Sequence, residues 1–460
     1  MKQHSIFQYL YILYASVFAV NIANIFIESE TLNYIIGCFA ILLLAISFIG
    51  ASKLFVILSA SFLVIGALLF SSTGESILVI PSVLTSNMAL LTLLAMLPWM
   101  NSVVRSGRFD RSLNTLMKVN VSDLGKLYTR SSITTLTLTS FLNLSAASIS
   151  QDVLKTNLAK EDKKLRDSFI SASTLRGYSI ALLWSPLEIL LAMSIFLTGV
   201  SYVSVLPWLL LIAVIAFAID ALWGRIRYRK YAYNSPQNVE AGEPVKVNVE
   251  GLAGKVFHLA CALVLFLALV IGLGTLFNID FILTVTLLIF PFTLVWSFIM
   301  KRSRSFWVIG WNNWKVKTNT MQNFMILFIS LSFFSYSISN ASFLEVIQKP
   351  ILYVSDYPLI VFFVIQLIFI GLSMFGIHPL GTFGILGSLI VLLLEVYNPL
   401  SLAIVLITSS IATLTVGTYG LVVTLTAMNT TQSPYRITLN NLGYSLLLGG
   451  IGTLVAYFLL

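Results

Sequence analysis

Charge is what this sequence has least of. Asp, Glu, Lys and Arg make up 10% of its 460 residues, where a soluble domain carries about a quarter. Together with 58% hydrophobic residues and a mean hydropathy of +0.94, that scarcity excludes a soluble domain on a single anchor. It implies an all-α polytopic membrane protein. Cysteine is almost absent. Cys38 and Cys261 both lie inside apolar runs, so neither a disulfide framework nor a thiolate metal cluster is supported. No nucleotide-binding loop, metal-ligand cluster or nucleophile–base arrangement occurs, which argues against a primary pump and against an enzyme. No resident cofactor is implied; a bound Na⁺ is the one exception considered below. The net charge of +9 would suggest nucleic acid as partner of a soluble protein. Here it is better explained by topology, with membrane lipids as the partner.

What is present is a succession of apolar runs near the roughly 20 residues that span a bilayer. The first run, in MKQHSIFQYLYILYASVFAVNIANIFI, is too long for a signal-peptide core and lacks a small-residue cleavage site, so a retained extra span is expected within residues 1–30. Spans follow at Tyr34–Gly50, Leu54–Phe70 and Ile77–Met100. The basic stretch Asn101–Thr129, with Arg105, Arg108, Arg111, Lys118 and Lys126, suits an amphipathic helix at the membrane surface. Arg130–Lys155 has an apolar, hydroxyl-rich core too short to cross twice, and cations at both ends. This predicts a re-entrant hairpin over 131–155 with Asn143-Leu144-Ser145 near its tip. A charged segment, Thr156–Arg176, leads to a span over 177–198 broken at Trp184-Ser185-Pro186-Leu187-Glu188, and then to Val205–Leu222 and the basic run Arg225–Lys230.

The hydrophilic stretch 231–254 is the expected cytoplasmic linker between two halves, 31–230 and 255–460. The second half has spans Val256–Phe277 and Phe281–Met300, a basic aromatic loop Lys301–Lys317, a span Met321–Ile338 and an amphipathic segment Ala341–Asp356. Trp307, Trp311 and Trp314 in that loop suggest an interfacial belt. A second hairpin is expected over 359–396, broken around His378-Pro379, then a broken helix over 402–428 interrupted at Thr415–Gly420, then a closing span Leu439–Leu459.

Orientation follows from lysine and arginine. With a cytoplasmic N-terminus and a re-entrant first hairpin, only Lys349 of the 27 basic residues faces outward. Counting the first hairpin as a full span would expel the second-half loops with Arg302 and Arg304. The census therefore predicts a multi-pass protein of the inner or plasma membrane with an external C-terminus. It also predicts about 11 membrane elements per protomer, two re-entrant hairpins and two inverted repeats with broken helices. The breaks at Ser185 and Gly417 lie 232 residues apart (417 − 185). Paired interruptions of this kind point to a secondary-transporter site, where half-helix N-termini face anions and freed carbonyls and hydroxyls hold Na⁺.

In this order of elements, and in Asn143-Leu144-Ser145, Ser185-Pro186 and Gly417-Thr418, the chain resembles the ion transporter superfamily, in particular the divalent anion/sodium symporters. The resemblance covers nearly the whole chain. The symporters carry Ser-Asn-Thr at each hairpin tip; here the tips read Asn143-Leu144-Ser145 and His378-Pro379-Leu380-Gly381-Thr382. The resemblance implies a homodimer in which a transport block slides against a fixed scaffold, an elevator, with substrate held between the tips.

Candidate substrate- or ion-binding residues are Asn143, Ser145, Ser185, Pro186, Glu188, His378, Thr382, Thr415, Gly417 and Thr418, with Na⁺ expected near Asn143, Ser185 and Thr418. Asn143 and Ser145 could ligate, or simply cap the short hairpin helices. Glu188, an intramembrane carboxylate, suits proton coupling or cation ligation; a permanently ionised Glu188 would repel an anionic substrate. His378 suits a proton shuttle or an anion contact, or a neutral turn residue before Pro379. Asp220 and Glu395, near predicted span ends, read as interfacial. The expected function is secondary active transport of a small organic solute, expected to be anionic, by Na⁺ or H⁺ symport. A lipid or lipid-linked-sugar flippase of the same architecture is the alternative.

Overall fold

A computed structural model describes residues 9–107, 109, 122–233, 249–340, 355–418 and 420–460. Arg108, Arg111, Lys118, Lys349, most of the linker and nearly all of Ala341–Asp356 lie outside these residues. Every regular element among the described residues is helical, apart from one isolated antiparallel bridge between Asp123 and Ala232. Seven helices among them are long and apolar enough to cross a membrane. The chain is an all-α polytopic membrane protein.

The fold divides into two compact units. The first comprises Met1–Val103, Gly272–Asp356 and Phe383–Val396. It holds α1 (Leu10–Ile27), α2 (Glu30–Gly50), α3 (Lys53–Phe70), the short α4 (Ile80–Val83) and most of α5 (Met88–Ser106). It also holds α12 (Phe281–Ile299), α13 (Ser303–Asn319) and α14 (Gln322–Ser339). α14 packs along α2 and α3, where Phe62 stacks on Phe334 at 5.0 Å between ring centroids. At Gly37, α2 lies so close to α4 that a Cβ would sit 1.9 Å from the Pro81 carbonyl oxygen. The expected basic aromatic loop over Lys301–Lys317 is corrected here: most of it is helix α13. Phe306, Trp307, Gly310, Trp311 and Trp314 recur at helical spacing. Trp99 of α5 packs against Phe306, Trp307 and Trp314 at centroid distances of 5.5, 5.9 and 6.4 Å. Gly310 admits it, since a Cβ there would lie 2.5 Å from the indole.

The second unit comprises Val104–Ile271, Tyr357–Thr382 and Tyr397–Leu460. Its first hairpin is α6 (Leu124–Leu142) and α7 (Leu144–Asn157), joined by Asn143 alone. Then come α8 (Lys163–Leu182), α9 (Ile189–Thr198) and α10 (Tyr202–Tyr228). Most of α11 (Val249–Phe277) follows, then α15 (Pro358–Met374) and the start of α16 (Pro379–Val396). The unit closes with α17 (Pro399–Ala412), a 3₁₀ turn Thr413–Thr415, α18 (Leu421–Thr430) and α19 (Pro434–Phe458).

α6 packs on α8 and α10, and α15 packs on α17 and α19. Each leading hairpin arm thus lies against the first half of a broken helix and against a closing span. α8 and α17 are buried on all sides, from Phe169 to Leu183 and from Ser401 to Ala412. A helix with no solvated face must satisfy its polar side chains internally. Several hydroxyls bond back to carbonyls one turn earlier: Thr174 to Ile170 at 2.7 Å and Thr408 to Ile404 at 2.8 Å.

At the hairpin base, Tyr128 stacks on Tyr228 at 5.5 Å within a core that includes Leu124, Leu127, Leu154 and Phe169. Asp123 caps α6, accepting from the Lys126 amide at 2.9 Å and from Arg225 at 3.2 Å. Burial pushes its carboxyl up, but the Lys126 amide, the Ser122 hydroxyl and the Arg225 charge outweigh that and leave it below the usual carboxylate range.

Candidate functional site

The first hairpin turns on one residue. Asn143 has φ 45° and ψ −128°, a conformation that costs a residue bearing a Cβ and persists only where its surroundings enforce it. Its backbone closes both helices: its N–H donates to the Thr139 carbonyl at 3.0 Å, and its carbonyl accepts from the Ala146 amide at 2.9 Å. Its side chain makes no cap bond. Instead Oδ1 accepts from the Tyr178 hydroxyl at 2.6 Å, and Nδ2 lies 3.4 Å from Glu188 Oε2 as donor. Of the two roles open to Asn143, helix cap or ligand, its side chain does not fill the first. Two residues on, Ser145 Oγ accepts from Arg105 Nη2 at 2.9 Å.

Glu188 sits where the first broken helix restarts. α8 ends at Leu182, Pro186 lacks an amide to continue it, and Glu188 is the N-cap of α9, with Oε1 accepting from the Leu190 amide at 3.3 Å. Glu188 as a residue is 4% exposed. Its amide donates to the Ser185 carbonyl at 3.1 Å, and Ser185 Oγ accepts from the Leu187 amide at 3.4 Å. The Trp184 carbonyl freed by the break accepts from the Tyr202 hydroxyl at 2.5 Å. Asn143, Ser185, Pro186 and Glu188 therefore form one cluster with Tyr178.

The second break contains no charge. The Ala412 carbonyl accepts from Thr415 Oγ1 at 3.0 Å and from Ser445 Oγ of α19 at 2.9 Å. The Val416 carbonyl accepts from Thr438 Oγ1 at 3.1 Å, which lies 3.2 Å from Thr418 Oγ1. Gly417 lies against α15, where an added Cβ would be 2.8 Å from Ser373 Oγ. Packing joins the two breaks: α8 meets the 3₁₀ turn and α18, and α9 meets α17.

The second tip is a helix-to-helix turn. α15 ends in a Schellman arrangement, with Gly376 at φ 95°, its amide donating to the Ser373 carbonyl at 3.0 Å and the Ile377 amide to the Leu372 carbonyl at 2.9 Å. His378 caps α16: Nδ1 accepts from the Leu380 amide at 3.2 Å, so in this arrangement that nitrogen carries no proton. Thr382 is fully buried and its Oγ1 has no hydrogen-bond partner.

Among the described residues, no group of three or more His, Cys, Asp or Glu could hold a metal ion. The oxygens at the breaks, from hydroxyls, carbonyls and Glu188, are hard donors of the kind that suits Na⁺ rather than a transition metal.

A second polar centre was not singled out from the sequence. Arg176 of α8 forms a buried ion pair with Asp220 of α10 at 2.9 Å, with side-chain exposures of 6% and 0%. The Tyr128 hydroxyl bonds both Asp220 oxygens, at 3.0 and 3.1 Å. Arg176 also donates to Asn441 Oδ1 at 3.1 Å and lies 4.1 Å from the centre of the Trp223 ring. Asp220, expected near a span end, is buried within the protein against an arginine counted among the loop cations. Its only sequence signal was an acid within an apolar run. A third centre is Gln151 of α7, fully buried, donating to Thr174 and Thr426 at 3.1 and 2.7 Å and accepting from Asn429 at 2.9 Å. It ties the first hairpin to the second broken helix.

No protein-family model matches this chain, and no curated protein matches it by sequence. Among solved structures, the chain is similar to the YdaH transporter of Alcanivorax borkumensis, at a TM-score of 0.62 and 13% identity, over 88% of this chain and 97% of that one. At that identity the likeness is one of fold, and over nearly its full length this chain has the fold of a membrane transporter.

Proposed function

We propose that the chain is a secondary active transporter that moves a small organic anion across the inner or plasma membrane, coupled to Na⁺ or H⁺. The observation that carries this reading is the Asn143 amide. It sits at a one-residue hairpin tip, is not used as a cap, and bridges Tyr178 to the buried carboxylate at a helix break. Non-helical backbone at membrane depth is tolerated where it lines a cavity or is buried in protein, and paired breaks are the recurring device of ion-coupled carriers.

Glu188 is the coupling group of this reading. An anion entering beside an ionised Glu188 is repelled, so a proton on the carboxyl, or a Na⁺ shared by Glu188, Asn143 and Ser185, must accompany it. The neutral second break, with Thr415, Gly417 and Thr418, offers hydroxyls and backbone to the solute or to a second Na⁺. Arg105, bonded to Ser145, supplies positive charge at the first tip. An elevator in a homodimer accords with one feature of the fold: the first tip and both breaks belong to a single compact unit, with a second unit as candidate scaffold. The lysine and arginine census supports a cytoplasmic N-terminus and an external C-terminus.

The test is uptake of a panel of small organic anions into proteoliposomes under imposed Na⁺ and pH gradients. Asn143→Ala and Ser185→Ala are expected to lose uptake while remaining monodisperse, and Glu188→Gln to lose gradient-driven accumulation while retaining solute exchange. Undiminished, gradient-driven uptake in all three variants would refute the assignment of the site.

A further inference from the structure

One end of the second unit holds a cavity of about 780 Å³ that plays no part in the site above. Its walls are the start of α8, the end of α10 and the start of α19. Four cations line it: Lys164, Arg227, Lys230 and Arg436. The only carboxylate in the lining, Asp162, is already engaged, accepting from the Lys164 and Leu165 amides at 2.9 and 3.2 Å as the cap of α8. The cavity thus presents four positive charges against one negative charge.

Aromatic side chains hold two of these cations. Arg227 lies 5.5 Å from the centre of the Trp223 ring and Lys230 Nζ 5.2 Å from that of Tyr231. Both rings are part of the lining. Trp223 also carries buried Arg176 against its ring, so the cavity wall is continuous with the Arg176–Asp220 pair. A second observation concerns the flanks. Leu222 and Ile226 of α10 and Leu439 of α19 are 62%, 70% and 64% exposed. α10 and α19 are both long and apolar enough to cross a membrane, and Ile226 is itself part of the lining, so exposed aliphatic surface adjoins the cations.

A basic cavity that opens onto exposed aliphatic side chains matches an amphiphile: phosphate inside, hydrocarbon outside. We propose that this cavity seats the phosphate headgroup of an anionic phospholipid, with its acyl chains along Leu222, Ile226 and Leu439. A free phosphate would satisfy the cations but leave the apolar flanks without a role.

The test measures lipid retained by the full-length protein in uncharged detergent, by native mass spectrometry with titrated phosphatidylglycerol, phosphatidylcholine or inorganic phosphate. Phosphatidylglycerol is expected to bind in preference to phosphatidylcholine. The double variant Lys230→Gln/Arg436→Gln is expected to weaken that binding about thirtyfold, since each surface cation changes anionic-lipid binding about fivefold. Both side chains are exposed, so folding is expected to survive; if the double variant does not fold, Arg227→Gln alone must weaken binding. Equal retention of the two lipids by the wild type, or unchanged phosphatidylglycerol binding in a folded variant, would overturn the proposal. Inorganic phosphate binding as tightly as phosphatidylglycerol would assign the cavity to a soluble anion and overturn it equally.

Discussion

The two broken helices of the second unit pack in like manner, each against a preceding helix and a later long one, yet they solve the problem of an interrupted backbone with different chemistry. The first, α8–α9, carries charge on both sides of its break: Arg176 paired with Asp220, and Glu188 held by Asn143 and the Leu190 amide. The second, α17–α18, has no Asp, Glu, His, Lys or Arg in the sequence from Pro399 to Thr430. Its freed carbonyls are covered by hydroxyls, two of them on α19, Thr438 and Ser445. The same architecture thus holds one centre built on acidic and basic side chains and one built on hydroxyls and backbone. On the proposed reading this difference separates the roles, with ion coupling centred on Glu188 at the first break and the solute, or a second Na⁺, met by neutral groups at the second.

The comparison breaks most sharply at Arg176. Arg176→Ala leaves Asp220 buried without its partner, and its cost is expected at about 3–5 kcal/mol, the range for opening a buried pair. The double variant Arg176→Ala/Asp220→Ala should recover part of that in thermal unfolding of the detergent-solubilised protein. Equal stability of wild type and Arg176→Ala would mean that the pair is not a structural element of the charged helix.

Asn143→Ala should cost about 1.5–3 kcal/mol, the worth of hydrogen bonds to a charged group, and should impair transport more than stability. Tyr178→Phe, which leaves the contact to Glu188 in place, should reproduce only part of that loss; parity between the two would move the weight of the site from the carboxylate to the phenol. At the neutral break, Thr438→Val removes one neutral hydroxyl bond to the Val416 carbonyl and is expected to cost about 0.5–1.5 kcal/mol. Its transport should keep the wild-type dependence on pH, and a shifted pH profile would show that the second break is coupled to a titrating group.

The smallest effect is expected at the base of the hairpin. The carboxyl of Asp123 lies below its ordinary value in the folded chain, so its stabilisation is present above the unfolded value and lost as pH falls through the folded one. Asp123→Asn should flatten the acid limb of the stability profile slightly and lower stability at neutral pH by the same small amount, bringing the two limbs closer together.

Much of the fold was legible in the order of residues because lipid imposes one-dimensional rules. Apolar length marks spans, Pro186 and Gly417 mark interruptions, and cations flanking a short apolar core mark the hairpin that turns at Asn143. The helix over Ser303–Asn319 was obscured because its polar residues gave the whole segment the composition of a loop, while its helical periodicity acquires meaning only against Trp99. At the site, Asn143, Ser185 and Glu188 stood out as polar groups at breaks. Tyr178, 35 positions from Asn143, carries no such mark, since a tyrosine in a buried helix looks like core until its hydroxyl meets an amide.

By itself, then, the sequence determined that this protein is helical and multi-spanning, where its helices break, and which polar groups stand at the breaks. Hydrophobic length and proline geometry act locally and need no partner. Tertiary structure alone decided which polar groups meet: Arg176 with Asp220, Asn143 with Glu188 and Tyr178, Gln151 with Thr426. In an apolar interior a buried polar group must find a partner wherever the packing of helices brings one, and that partner lies across the fold, at a distance along the chain that no local pattern encodes.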